Sequence, residues 1–417
     1  MRVPPTVFLC FFVLVCACVS ISAQEKPADT LTGKVMCGYQ GWFATPGDGM
    51  GLGWQHYSFR EDGRCTIDLW PDTRDLNKDE LHETPLRLAA GRPAAVFSSA
   101  HPQTVRRHFG WMSTHGIDGV FLQRFGAVLK GEKSRAFVDR VMENVRTASA
   151  KTGRTWAVMY DLSGLRLGDI ERFVMQDWKR LRNELHVMDD PHYLRHGGRP
   201  VVAVWGIGFN DKRDYTIAEC AALFRFLRDN PEFGGTTVMA GVPYGWRTLD
   251  RDAANDPQLH ETLKLAGIIS PWAVGRYGSP EDAGRQIAKV HAEDAAWCQA
   301  RGKSYLPVIF PGFSWANLMA TRGQEARLNA IPRLGGRFLW AQAMERLKLG
   351  SNMLYVAMFD EMDEGTAIFK CADEVPVGTK GFVTNEGLPS DHYLWLTGEI
   401  ARVLRGEKPA TAELPKR

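Results

Sequence analysis

Apolar, β-branched and aromatic residues recur along the chain in eight short runs, at 34–39, 119–125, 156–162, 200–206, 237–243, 267–273, 306–311 and 353–359. Each has the length and composition of a strand. Most are followed by a stretch with a slower rhythm. In 134–150, Phe137, Val138, Val141 and Val145 fall at helical spacing, and in 169–185 Ile170, Phe173, Val174, Trp178 and Leu181 do the same. Residues 217–227, 280–300 and 338–349 read likewise. Strands alternating with helices predict a parallel sheet, and eight such units predict an α/β fold of the (β/α)8 TIM-barrel type. A last helix is expected over 391–404, and 406–417 is expected to be a flexible tail.

One interval breaks the rhythm. Residues 40–118 separate the first strand from the second. Within them, 103–115 carries Val105, Phe109 and Met112 and predicts the first barrel helix, with Trp111 adding to the same face. The apolar run Ala94 to Ser98 is placed in the long loop rather than the barrel. That loop carries Gly38-Tyr39-Gln40-Gly41-Trp42-Phe43, Trp54-Gln55-His56-Tyr57 and Asp68-Leu69-Trp70-Pro71-Asp72. It is too aromatic for disorder. Long ordered loops in compact domains are commonly functional, so this one is expected to form a wall of a cleft.

The N-terminus follows neither rhythm. Arg2 is followed by nearly unbroken apolar sequence over 7–19, then by Ser20-Ile21-Ser22-Ala23 before Gln24. This predicts a signal peptide over 1–23 and a secreted or periplasmic protein, with one catalytic domain over 24–405. The alternative is a lipoprotein anchored at Cys18. No later run is long and apolar enough to span a bilayer. Cys10, Cys16 and Cys18 leave with the signal. Cys37, Cys65, Cys220, Cys298 and Cys371 remain, odd in number and scattered, so no disulfide framework or zinc spacing is read. Buried free thiols are expected, with one bridge the alternative. A net charge of +3 gives no electrostatic footprint for nucleic acid. The 13 tryptophans serve either core packing or sugar stacking, since a sugar presents an apolar C–H face.

The candidate chemistry lies at the last strand. Asp360-Glu361-Met362-Asp363-Glu364-Gly365-Thr366 packs four carboxyls into five positions directly after the apolar run that begins at Met353. Charge runs are usually solvated turns. At the C-terminal end of a barrel strand they are also where catalytic groups stand. Glu361 and Glu364 are therefore the candidate acid–base pair, as glycoside hydrolysis requires. A divalent cation held by Asp360, Glu361, Asp363 and Glu364 is the alternative, although the spacing matches no EF-hand loop. The other strand ends offer Tyr39 and Trp42, Gln123 and Arg124, Tyr160 and Asp161, Trp205, Tyr244, Trp272 and Trp315 as substrate-binding candidates. Trp54 and His56 join them from the loop. Arg124 could fix a hydroxyl or keep the carboxylates ionised. About half of these aromatics are expected in the core instead.

These motifs resemble glycoside hydrolase families 99 and 71. Family 99 ends its last strand with Asn-Glu-Trp-His-Glu-Gly-Thr, and Asp360 to Thr366 matches both glutamates, the glycine and the threonine at their spacing. The segments Gly38 to Phe43 with Trp54-Gln55-His56, Gly116-Ile117-Asp118-Gly119-Val120, His192-Tyr193-Leu194 and Gly198-Arg199-Pro200-Val201-Val202 resemble earlier strands of that group. The resemblance implies a (β/α)8 barrel that cleaves α-glycosidic bonds with retention and without metal or cofactor. Glu361 would act on the sugar 2-hydroxyl through a 1,2-anhydro intermediate, and Glu364 would be the general acid/base. The substrate would be an oligo- or polysaccharide and the enzyme a monomer. Met362 and Asp363 replace Trp and His, and Asp360 replaces Asn, which leaves α-mannan, α-1,3-glucan and other glycans open. A carbohydrate-binding barrel without activity and a metal-dependent barrel hydrolase are the competing classes.

Overall fold

The computed structural model describes residue 1 and residues 28–60, 64–377 and 381–417. Apart from Met1, the expected signal segment and Cys18 lie outside the described residues. The strands are β1 (Val35–Tyr39), β2 (His82–Arg87), β3 (Pro93–Val96), β4 (Gly119–Phe125), β5 (Thr155–Asp161), β6 (Arg195–His196), β7 (Arg199–Trp205), β8 (Thr237–Val242), β9 (Ile268–Pro271), β10 (Ser304–Tyr305), β11 (Val308–Ile309) and β12 (Leu354–Val356). Their main sheet runs β10-β9-β8-β7-β5-β4-β1-β12-β11, and β6 adds to β7 antiparallel. Every neighbouring pair along the main path is parallel.

Helices α1 (Pro102–His115), α2 (Glu132–Thr152), α3 (Gln176–Asn183), α4 (Ile217–Asp229), α5 (Gln258–Leu263), α6 (Pro280–Gln299), α7 (Ala316–Thr321), α8 (Arg337–Lys348) and α9 (His392–Leu404) complete the fold. The strands β1, β5 and β12 are buried along their whole length. Continuous burial is what a parallel sheet covered by helices demands, and it explains why these strands read as unbroken apolar runs.

The ends of the sheet's path, β10 and β11, are separated only by Leu306 and Pro307, so the sheet curls round until both ends belong to one stretch of chain. The expected strand 306–311 is broken there. Proline has no N–H to give a ladder. Leu306 N donates to Ile269 O at 2.9 Å on one side, and Pro307 O accepts from Tyr355 N at 3.1 Å on the other. The expected helix 169–185 is also divided, into a π-helical turn over Ile170–Met175 and then α3. The apolar run at 94 lies in the long first loop, as β3 of a hairpin with β2. Residues 406–417, expected to fray, lie against the body: Trp340 Nε1 donates to Thr411 O at 2.9 Å, and Arg417 pairs with Asp391. The described cysteines are all free and buried.

Candidate active site

Successive side chains on a strand point to opposite faces, so each strand end sends one residue inward and its neighbour out. At the C-terminal ends of the parallel strands the inward residues enclose a cavity of about 240 Å³. Gln40 and Trp42 follow β1, Gln123 and Phe125 come from β4, and Asp161 and Ser163 from the end of β5. Trp205 ends β7 and Trp272 follows β9. Met358, Glu361 and Glu364 follow β12. A larger cavity of about 720 Å³ lies between Trp70 and Ser390, but its carboxylates are committed: Asp72 to Arg74, Glu374 to Arg92, and Asp373 to the N–H groups of Asn385 and Gly387.

The acid turn is not solvated. Asp360 is 0%, Glu361 5% and Asp363 4% exposed, and Glu364 is half-buried. Backbone bonds hold the turn: Thr366 N and Ala367 N donate to Glu361 O, and Asp68 N and Leu69 N donate to Met362 O. Gly365 sits at φ 64°, where a side chain would be strained, and a Cβ there would lie 2.9 Å from Ser314 N. Arg333, itself buried, donates through Nη2 to the carbonyls of Gly365 and Ala367.

Each carboxyl meets different partners. Asp360 accepts from the N–H groups of Gln40 at 2.7 Å and Gly41 at 2.9 Å. Burial still pushes it up to about 7, with Asp363 adding to the push. Glu361 accepts from Gln40 Nε2 at 2.5 Å and from the Thr366 hydroxyl at 2.6 Å. Burial, then Glu364, then Asp363 push it well above the usual glutamate range, and Thr366 and Gln40 pull against them. Glu364 accepts no side-chain hydrogen bond among the described residues. Burial and then Asp363 raise it to about 7, and Arg322 opposes them. Across the cavity, burial raises Asp161 to about 6, although Ser163 N donates to it at 2.7 Å. Buried polar atoms without a partner collect on the same walls: Gln40 Oε1, Trp42 Nε1, Gln123 Oε1 and Trp205 Nε1. Such atoms are costly unless a ligand or water meets them.

Of the residues expected at the site, Trp42, Gln123, Asp161, Trp205, Trp272, Glu361 and Glu364 line this cavity. Others do not. Tyr39 is fully buried and bonds His108 Nδ1 at 2.9 Å. Arg124 points outward from β4 to Asp177 and Asp139, so it neither fixes a hydroxyl nor pairs with the acid turn. Tyr160 points the same way and donates to Asp177 at 2.8 Å. Tyr244 is buried beneath Arg251. Trp54 packs edge-on against Tyr57 and Phe59. Trp315 is 36% exposed beside Phe313, off the cavity. His56 stands one layer back, between Trp42 and Asp363. Gln40, Phe125, Ser163 and Met358 also line the cavity, although the sequence analysis did not single them out. For Phe125 a signal was present: it stands two residues after Gln123 on the same strand, and so on the same face. Among the described residues, no group of three or more His, Cys, Asp or Glu is arranged to hold a metal ion.

A mostly parallel, curled sheet with a polar, tryptophan-walled cavity at its strand ends is an α/β architecture of the barrel type. In particular, the chain is similar in fold to a family 99 endo-alpha-mannosidase from Bacteroides thetaiotaomicron, with a TM-score of 0.64 and 15% identity over 91% of this chain and 100% of that one. A structure of that enzyme with Bis-Tris propane gives a TM-score of 0.63, again at 15% identity, over 92% and 100% of the two chains. A glycoside hydrolase-like protein follows, with a TM-score of 0.50 and 14% identity over 80% and 93%. No protein-family model and no curated protein matches the sequence.

Proposed function

We propose that this chain is an exported glycoside hydrolase that cleaves α-glycosidic bonds in an oligo- or polysaccharide, on a full (β/α)8 barrel with the aromatic first loop as one wall of its cleft. One observation carries the reading. Glu361 and Glu364 share a single small cavity with three tryptophans at the strand ends. The likeness in fold to an endo-alpha-mannosidase supports α-mannosides as the first substrates to try.

Hydrolysis needs an acid at the leaving oxygen and a base or nucleophile at the sugar. The working form is the pair with one proton between two glutamates, whose titration belongs to both. Gln40 and Thr366 donate to Glu361 and favour its carboxylate within that form. Glu361 then acts on the sugar 2-hydroxyl, giving retention through an anhydro sugar. Glu364, with no competing side-chain donor, carries the proton to the leaving oxygen. Trp42, Trp205 and Trp272 offer apolar faces to the sugar ring, and Asp161 and Gln123 meet its hydroxyls.

The test begins with α-mannans, α-glucans, and pectic and arabinoxylan fragments. On the responsive substrate, Glu364→Gln should slow turnover about a hundredfold or more, and much less when the leaving group is an activated phenol. Glu361→Gln should slow both, and a 2-deoxy substrate should be nearly inert. Wild-type rates in both glutamine variants would remove the pair from the mechanism, and fast 2-deoxy turnover would replace the anhydro route with direct attack by a carboxylate.

A further inference from the structure

Asp363 lies between the two glutamates in sequence, and the long first loop supplies its partner. Asp363 Oδ2 is 3.1 Å from His56 Nδ1. Two rings hold the imidazole, whose side chain remains 37% exposed. It lies flat on Trp42, with ring centroids 3.7 Å apart and planes 6° from parallel, and Phe43 meets it edge-on. The Thr66 hydroxyl donates to the His56 carbonyl. His56 holds φ 59°, a conformation that a non-glycine residue keeps only when its surroundings insist on it. The Asp363 side chain is only 5% exposed, and its second oxygen, Oδ1, is buried with no partner among the described residues. A half-satisfied buried carboxyl is an expensive group for a turn to keep. Nothing in the packing of the turn requires a carboxyl there, since Met362 already fills the core side.

We propose that Asp363, clamped by His56 in the same buried turn as the two glutamates, is a positioning residue that holds the Glu361–Glu364 pair in its singly protonated form. The surroundings fit this role. Asp363 is faced by His56 and Tyr57 from the first loop, and by Asp360, Glu361 and Glu364 from its own turn. Asp161 from β5 and Arg322 after α7 also face the pair. Arg322 is the guanidinium among them, and it is exposed at the rim, where water screens it. Inside the cavity the neighbours are therefore acids, and a like charge nearby disfavours loss of a proton. Asp363 pushes Asp360, Glu361 and Glu364 upward in turn. Gln40 and Thr366 give Glu361 donors that Glu364 lacks, whereas Asp363 sets the pH at which the pair still holds its proton.

The direct test needs no substrate. Glutamate carboxyl carbons are labelled with 13C, Glu361→Gln and Glu364→Gln assign their signals, and the free protein is titrated by NMR. Removing the aspartate charge makes ionisation easier, so Asp363→Asn should move the pair's titration to lower pH by about one unit or more. His56→Asn, which tolerates the positive φ, frees Asp363 to swing toward water and should give a smaller shift of the same sign. It also carries the test if Asp363→Asn does not fold. The kinetic arm rests on the glycosidase reading. The alkaline limb of kcat/KM should move down with the titration, while activity on the acid side stays within about threefold, and Asp363→Glu should restore most of the limb. Titrations that coincide with wild type in the folded variants would overturn the proposal. A shifted titration in a protein that cleaves no glycan would uphold it and overturn the hydrolase reading instead.

Discussion

At the scale of single residues, four carboxyls in five positions would repel one another, and the turn survives because each is met differently. Asp360 faces two backbone N–H groups, Glu361 two side-chain donors, and Asp363 an imidazole, whereas Glu364 is left to the cavity. The arrangement leaves a mark on stability. Burial lifts Glu364 from the ordinary glutamate value of 4.5 to about 7 in the folded chain. Between those values the folded state binds more protons than the unfolded state, so stability falls as pH rises. This contribution is fully present below about pH 4.5 and is lost through about pH 7. Glu364→Gln removes the cost of burying the charge. It should raise Tm by a few degrees near pH 8.5 and change it little near pH 5, as calorimetry at the two pH values would show. A variant equally stabilised at both would mean that charge is not the cause. The acids themselves were legible, because all four are neighbours in sequence. Gln40 as a partner of Glu361 was not, because 321 positions separate them and only the sheet register joins them. Gln123 and Arg124 looked equivalent as neighbours; which one faces inward depends on a register that composition does not reveal.

At the scale of elements, periodicity located the sheet well where strands are long and buried, as for β4, which spans the expected residues. It failed where local chemistry overrides apolar pattern. Pro307 splits one strand into two short halves, and α5 and α7, of six residues each, are too short to show a helical period. The closeness of β4 and β5 gives an element-scale prediction. A Cβ on Gly119 would lie 1.9 Å from the Thr155 carbonyl oxygen, a backbone atom that cannot turn aside. Gly119→Ala should therefore part the two strands at their start and cost about 3 kcal/mol, at the upper end for overpacking, read by urea denaturation. A loss below about 0.5 kcal/mol would show that the strands separate easily there.

At the scale of the whole molecule, the apolar interior also encloses the thiols. Cys65, Cys220, Cys298 and Cys371 are pushed up to about 12, mainly by burial, and Cys37 higher still. Since the thiolate is the nucleophile, the native protein should resist alkylation near pH 8, and all five should react once it is unfolded, as mass spectrometry would count. Fast labelling of any one in the native state would reveal a local opening.

β1 pairs with β12, joining Val35 to Leu354, and Gln40 reaches Glu361 across the same seam. β1 thus waits on the ribosome for β12. Until residue 354 emerges, β1 has one edge without its native neighbour, and no part of the acid turn exists. Long-range parallel pairing of this kind folds slowly and leaves apolar edges open in the meantime. A nascent chain stopped short of β12 is therefore a sticky, unfinished body rather than a smaller version of the fold. Any truncation product released before that point is cargo for chaperones and proteases. The carboxyls of the acid turn take their places in the same event that seals the fold.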